Sequence, residues 1–121
     1  MFWKIIISAL IMISLDAVYL GLVMKTPFET LIQKIQGSSL SLRVLPVVLC
    51  YFLLVGGLYY FILRENRSWK EAALLGLIIY GVYETTNLAL LKNWNWTLAI
   101  IDVFWGAVLF SLTTGLTYRV L

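Results

Sequence analysis

The chain has 121 residues, 62% of them hydrophobic and 12% charged, with a net charge of +3 and no histidine. A soluble domain of this length cannot hide that much apolar surface from water. The missing histidine excludes His-based catalytic triads and His metal sites. The basic residues lie at the edges of apolar stretches and in loops rather than on one exposed face, which argues against nucleic acid as a partner.

Runs of about twenty apolar residues are the signature of membrane-spanning helices. Four are present: Phe2 to Met24, Val44 to Leu63, Ala72 to Leu91 and Thr97 to Leu121. They predict a single all-α domain over residues 1–121, a polytopic membrane protein with four transmembrane helices. Lys4 and the apolar run Ile5 to Leu15 resemble the start of a signal peptide. The run continues, however, and no small-residue cleavage site follows, so a retained first helix is expected.

After the first span, Thr26, Pro27 and Glu29 form a helix-starting pattern, a capping box with proline at the first position. Phe28, Leu31, Ile32 and Ile35 then recur at helical spacing, and Gly37 ends the pattern. The expectation is a short amphipathic helix lying at the interface, as an anchor or as a lid. Gly37, Ser38 and Ser39 read as a loop. The second span carries Pro46 near its start, Cys50, which reads as a small core residue, and Gly56-Gly57, read as a site of close helix approach. Tyr59, Tyr60 and Trp69 read as interface aromatics, and Arg64 to Glu71 as a short charged loop. The third span ends in Lys92-Asn93-Trp94-Asn95-Trp96, a polar-aromatic turn whose Trp94 and Trp96 read as interface anchors.

With the N-terminus inside, Lys4, Arg64, Arg67, Lys70 and Arg119 fall on the cytoplasmic side, against Lys25, Lys34, Arg43 and Lys92 outside. This small excess favours two cytoplasmic termini.

Three carboxylates, Asp16, Glu84 and Asp102, each sit inside or near the edge of a different span, and no mid-membrane Lys or Arg accompanies them. Charged groups in hydrocarbon are costly and mark functional sites. At about 1.5 Å per residue, Asp16 lies roughly 12 Å, Glu84 roughly 10 Å and Asp102 roughly 8 Å below the same surface. All three fall in one leaflet of a core about 30 Å thick. Tyr80 and Asn87 share a helix face with Glu84, Tyr19 follows Asp16 by one turn, and Trp105 and Gly106 follow Asp102 by one turn; Thr85 and Thr86 add hydroxyls.

The predicted substrate- or cation-binding set is therefore Asp16, Tyr19, Tyr80, Glu84, Asn87, Asp102 and Trp105. Clustered acids without a cationic partner cannot all stay ionised. A proton shared between them suits proton-coupled transport. A hard divalent cation such as Ca²⁺, Mg²⁺ or Mn²⁺ is the alternative guest, and an organic cation facing Trp105 and the tyrosines is a third. No resident cofactor is predicted. The structural readings are a helix-dipole role for Asp102 and interhelical hydrogen bonding for Asp16, Glu84 and Asn87.

Leu15-Asp16-Ala17-Val18-Tyr19-Leu20-Gly21, Tyr80-Gly81-Val82-Tyr83-Glu84-Thr85-Thr86-Asn87, Lys92-Asn93-Trp94 and Asp102-Val103-Phe104-Trp105-Gly106 together resemble the membrane-protein family named domain of unknown function 2177. That family carries Asp before an aromatic and Leu-Gly in its first helix, Tyr-Gly-x-Tyr-Asp-x-Thr-Asn and Lys-x-Trp around its third, and Asp-x-x-Trp-Gly in its fourth. Here Glu84 stands where the family usually has Asp, a longer reach that proton exchange tolerates better than rigid metal coordination. In size and in its first-helix acid the chain also resembles the small multidrug resistance transporters, although the acids in helices three and four depart from that pattern. The resemblance implies a four-helix membrane protein and no established activity.

Three functions compete. One is a small transporter or a cation- or proton-binding protein, with a path formed by a homo-oligomer. The second is an accessory or assembly subunit of a larger membrane complex. The third is a lipid-modifying enzyme, for which no nucleophile or phosphate-binding loop is seen.

Overall fold

The structure is a computed structural model and describes residues 2–23 and 44–121. Four helices account for nearly all of these residues. Helix α1 (Phe2–Val18) runs on into a π-helical turn, Tyr19–Val23, and α2 (Val44–Leu58) runs on into a second, Tyr59–Leu63. Helix α3 is Trp69–Leu90 and α4 is Trp96–Val120. All four are long and apolar enough to cross a membrane. The expected amphipathic helix after Thr26, the end of the first span at Met24 and the loop at Gly37 lie outside the described residues.

Helix starts are fixed by local chemistry. Ser68 caps α3: its hydroxyl accepts from the Glu71 N–H and its own N–H donates to the Glu71 carboxylate, each at 3.3 Å. This capping box satisfies two of the N–H groups that a helix start leaves unpaired. It also places the start of α3 at Trp69, inside the segment read from sequence as a charged loop ending at Glu71. Asn95 caps α4, its Oδ1 accepting from Thr97 N–H at 2.8 Å and Leu98 N–H at 3.2 Å. Asn66 turns the chain between α2 and α3 with φ 53°, a left-handed conformation that asparagine tolerates.

Three elements are tied at that end of the bundle. The Lys4 ammonium donates to Leu63 C=O at 2.9 Å and to Asn66 Oδ1 at 2.8 Å, so a cation meets the negative end of a helix. The Tyr118 hydroxyl donates to Arg67 C=O at 2.7 Å. The start of α1, the α2–α3 turn and the end of α4 are thereby held at one face of the bundle.

Above this ring sits the apolar core, built from Met12 of α1, Leu54, Val55 and Leu58 of α2, Ala72 of α3, and Leu109 and Phe110 of α4. Most other large apolar side chains point outward, as expected for helices solvated by lipid. Helix α4 is the most buried of the four, and it packs on both α1 and α3.

The tightest crossing is between α3 and α4. A Cβ built on Gly76 would collide with the Gly106 carbonyl, and one on Gly106 would collide with the ring of Tyr80. Close approach in membranes depends on such small residues. Gly56 and Gly57, expected from sequence to mark a close approach, have no described residue within 4 Å of where a Cβ would sit. Two adjacent glycines point in different directions around a helix, and neither of these faces a neighbouring backbone among the described residues. Gly76→Ala should therefore force α3 and α4 apart and destabilise the fold by about 1–3 kcal/mol, while Gly57→Ala should leave it unchanged or slightly more stable. Thermal melting of the two variants in detergent micelles checks this.

Candidate functional site

The three acids occupy the half of the bundle opposite the Lys4–Tyr118 ring, and they are not served alike. Asp16 is buried, with 6% of its surface exposed. Its Oδ1 accepts from the Trp105 indole N–H of α4 at 2.9 Å, and its Oδ2 accepts from the Tyr51 hydroxyl of α2. One carboxyl thus clamps three helices using two uncharged donors. Tyr51 also lines an apolar groove of about 500 Å³ that opens between α1 and α2, so Asp16 is separated from that groove by the ring that serves it.

Tyr19 begins the π-helical turn that ends α1. Its ring lies flat on Trp105, with centroids 4.4 Å apart and planes 5° from parallel. Its hydroxyl donates to Asp102 Oδ1 at 3.4 Å, a long and weak bond. The stacked pair therefore bridges two acids: Trp105 donates to Asp16 and Tyr19 donates to Asp102.

Glu84 is almost fully enclosed, with 2% of its surface exposed. The Trp94 indole N–H donates to its Oε1 at 2.6 Å. Glu84 also lies within hydrogen-bonding reach of Asp102, while Asp16 faces that pair through space. Among the described residues the ion pairs join Arg64 and Arg67 to Glu65 and Glu71, all at the opposite end. No described Lys or Arg reaches any of the three acids, and no group of three His, Cys, Asp or Glu side chains among the described residues is arranged to hold a metal ion.

The remaining sequence candidates divide. Tyr80 packs its ring over Gly106 and meets Phe110 edge-on, with centroids 6.4 Å apart, so it seals the α3–α4 crossing beneath the site. Asn87 is half-buried and lies beside Tyr83, one turn back on its own helix. Thr85 and Thr86 are exposed; their hydroxyls donate to Gly81 C=O and Val82 C=O of the preceding turn, each at 2.6 Å. They contribute nothing to the acid cluster, because a back-bonded threonine on the outer face has no free donor to offer.

Two members of the site lay outside the expected set. Trp94 was expected at the interface, yet only 8% of it is exposed. The turn between α3 and α4 is short, and the Trp94 N–H bonds to Leu91 C=O at 3.1 Å, which folds the indole back over Glu84. Trp96, two residues on, is 68% exposed and fits the anchor reading. Tyr51 was not singled out at all. Its signal in the sequence is a phenol far from either end of an apolar span, where the hydroxyl must find a partner inside the protein.

The fold and the site define a class: a four-helix membrane protein with a cluster of intramembrane carboxyls held by indole and phenol donors. The family described as "Predicted membrane protein (DUF2177)" matches residues 1–119, and the chain belongs to it. No curated protein and no solved structure matches the chain.

The two donors to Asp16 give a direct test. Tyr51→Phe and Trp105→Phe each remove one hydrogen bond and keep a ring in place. Each should cost about 1–2 kcal/mol, above the roughly 0.6 kcal/mol typical of interhelical bonds in membranes, because the acceptor is a buried carboxyl. Melting curves in one detergent, compared with wild type, measure the difference.

Proposed function

We propose that this protein binds and releases a proton within the membrane, at the Glu84–Asp102 pair, and couples that exchange to transport. The observation that carries the reading is the contact itself: two carboxyls from different helices at hydrogen-bonding range, with no described cation between them. Two carboxylate anions repel at that range, whereas one proton between them makes a hydrogen bond. Such a pair takes up and gives off protons as a unit.

The flanking groups support a mobile proton. Trp94 holds Glu84 in place through an indole, which is a donor only. Tyr19 holds Asp102 only weakly, at 3.4 Å, so rotation of the Asp102 carboxyl breaks little. The extra methylene of Glu84 gives the pair further reach. A divalent cation is the less favoured guest, since each carboxyl already spends lone pairs on Tyr, Trp or its neighbouring acid.

A second reading, an assembly subunit whose acids only join helices, is favoured by Asp16. Its two donors come from two other helices, the arrangement expected of interhelical glue. The two readings separate by residue: Asp16 is the clamp, and Glu84 with Asp102 is the exchanging pair.

Trp94 is the built-in reporter. In purified protein reconstituted into vesicles, the emission assigned to Trp94, obtained by subtracting a Trp94→Phe sample, should change with pH. Glu84→Gln and Asp102→Asn should abolish that response while keeping the melting temperature close to wild type, because an amide replaces the protonated acid in shape and in its donor. A wild-type Trp94 signal that is flat from pH 5 to about 9, the range around perturbed carboxyls, would count against proton exchange and in favour of the assembly role.

A further inference from the structure

The half of the bundle nearest the Lys4–Tyr118 ring buries a second polar group. Ser8 of α1 and Thr113, Thr114 and Thr117 of α4 are all fully buried. Ser8 donates to Ile5 C=O at 3.1 Å and Thr117 to Thr113 C=O at 2.6 Å. The hydroxyls of Thr113 and Thr114 have no hydrogen-bond partner among the described residues. A buried hydroxyl without a partner is destabilising, and such groups in native proteins are usually met by ordered water.

The register brings these residues to one level. Trp105 of α4 bonds Asp16 of α1, while Lys4 and Tyr118 reach adjacent carbonyls, Leu63 and Ile62, at the end of α2. The two helices therefore run antiparallel and in step. Ser8 lies eight residues before Asp16 and Thr113 eight residues after Trp105, so both sit roughly 12 Å from the acids. Fully buried Met12 and Leu109 stand between the two levels. On the far side, Lys4, Asn66, Tyr118 and Leu121 line an open surface cavity of about 420 Å³.

We propose that Thr113 and Thr114 hold bound water, and that this hydrated pocket is the second half of a transmembrane proton path. The path runs from the Lys4–Tyr118 mouth, past Thr117 and Ser8, to the acid pair, with Met12 and Leu109 as an apolar gate. It rests on the proton-exchange reading above and adds a route to it. Each water oxygen on the route accepts one proton and passes on another. The back-bonded Ser8 and Thr117 hydroxyls lend only their free lone pairs, and the Met12–Leu109 layer parts to admit water on to the acids, so no side chain ends changed. The last acceptor is the Glu84–Asp102 pair, which later releases its proton to the opposite face.

The test uses the full chain in sealed vesicles with an internal pH dye, an imposed pH gradient and a potassium ionophore to collapse opposing voltage. Wild type should carry protons, Thr113→Val/Thr114→Val should lose that flux, and Thr113→Ser/Thr114→Ser should retain it. The Val variant should keep the Trp94 response to pH and should melt at a lower temperature than wild type, since it gives up bonds to water. Wild-type flux in the Val variant, or a melting temperature equal to or above wild type, overturns the hydrated path and leaves proton binding at the acids standing. So does a wild type that shows the Trp94 response without flux. A wild type lacking the Trp94 response removes the acid-pair reading and the path with it. Should the double Val variant not fold, the single variants Thr113→Val and Thr114→Val are each expected to lower flux, and unchanged flux in both overturns the proposal.

Discussion

A carboxyl group in hydrocarbon must be answered by donors, by a counter-ion or by a proton, and this bundle uses mainly the first and, in our proposal, the last. Indole and phenol groups are suited to the task because their rings are apolar and only one atom of each is polar. Each ring fills space in the bundle while its single N–H or O–H meets an oxygen. Trp105 serves Asp16, Tyr19 serves Asp102 and Trp94 serves Glu84, so every acid has an aromatic escort. Without these donors, a proton or a counter-ion would have to do the whole work of burying the three acids.

The escorts work only because the helices are close enough. Gly76 lets the Gly106 carbonyl of α4 come against α3, and Gly106 in turn receives the Tyr80 ring. That crossing fixes the separation of the two helices that carry Glu84 and Asp102. At the opposite face Lys4, Asn66 and Tyr118 fasten the helix ends together. The bundle is thus pinned by polar groups at both ends and packed by apolar residues in the middle, where Met12, Leu58, Leu109 and Phe110 are fully enclosed.

Much of this was legible beforehand. The four spans stand out because each is a long apolar run, and the depths of Asp16, Glu84 and Asp102 follow from counting residues along straight helices. Tyr19 and Trp105 were found because one helical turn separates each from an acid. What escaped was whatever depends on rotation and on turns. Sequence spacing shows that Gly56 and Gly57 are small, but not which way they face, and the close contact formed at Gly76 and Gly106 instead. Trp94 was hidden because its position depends on how the α3–α4 turn folds back. Tyr51 was hidden because nothing in α2 itself calls for a donor; the acid it serves is on α1. The start of α3 was available in the Ser68–Glu71 capping box but was obscured by the surrounding charges.

The place of Trp94 bears on how the chain enters the bilayer. Glu84 and its indole donor lie within one helical hairpin, so α3 and α4 can leave the insertion machinery together with that acid already accompanied. Asp16 has no such companion in its own helix. Its donors arrive only with α2 and α4, so the bonds that hold Asp16 are completed only once the last span has been made.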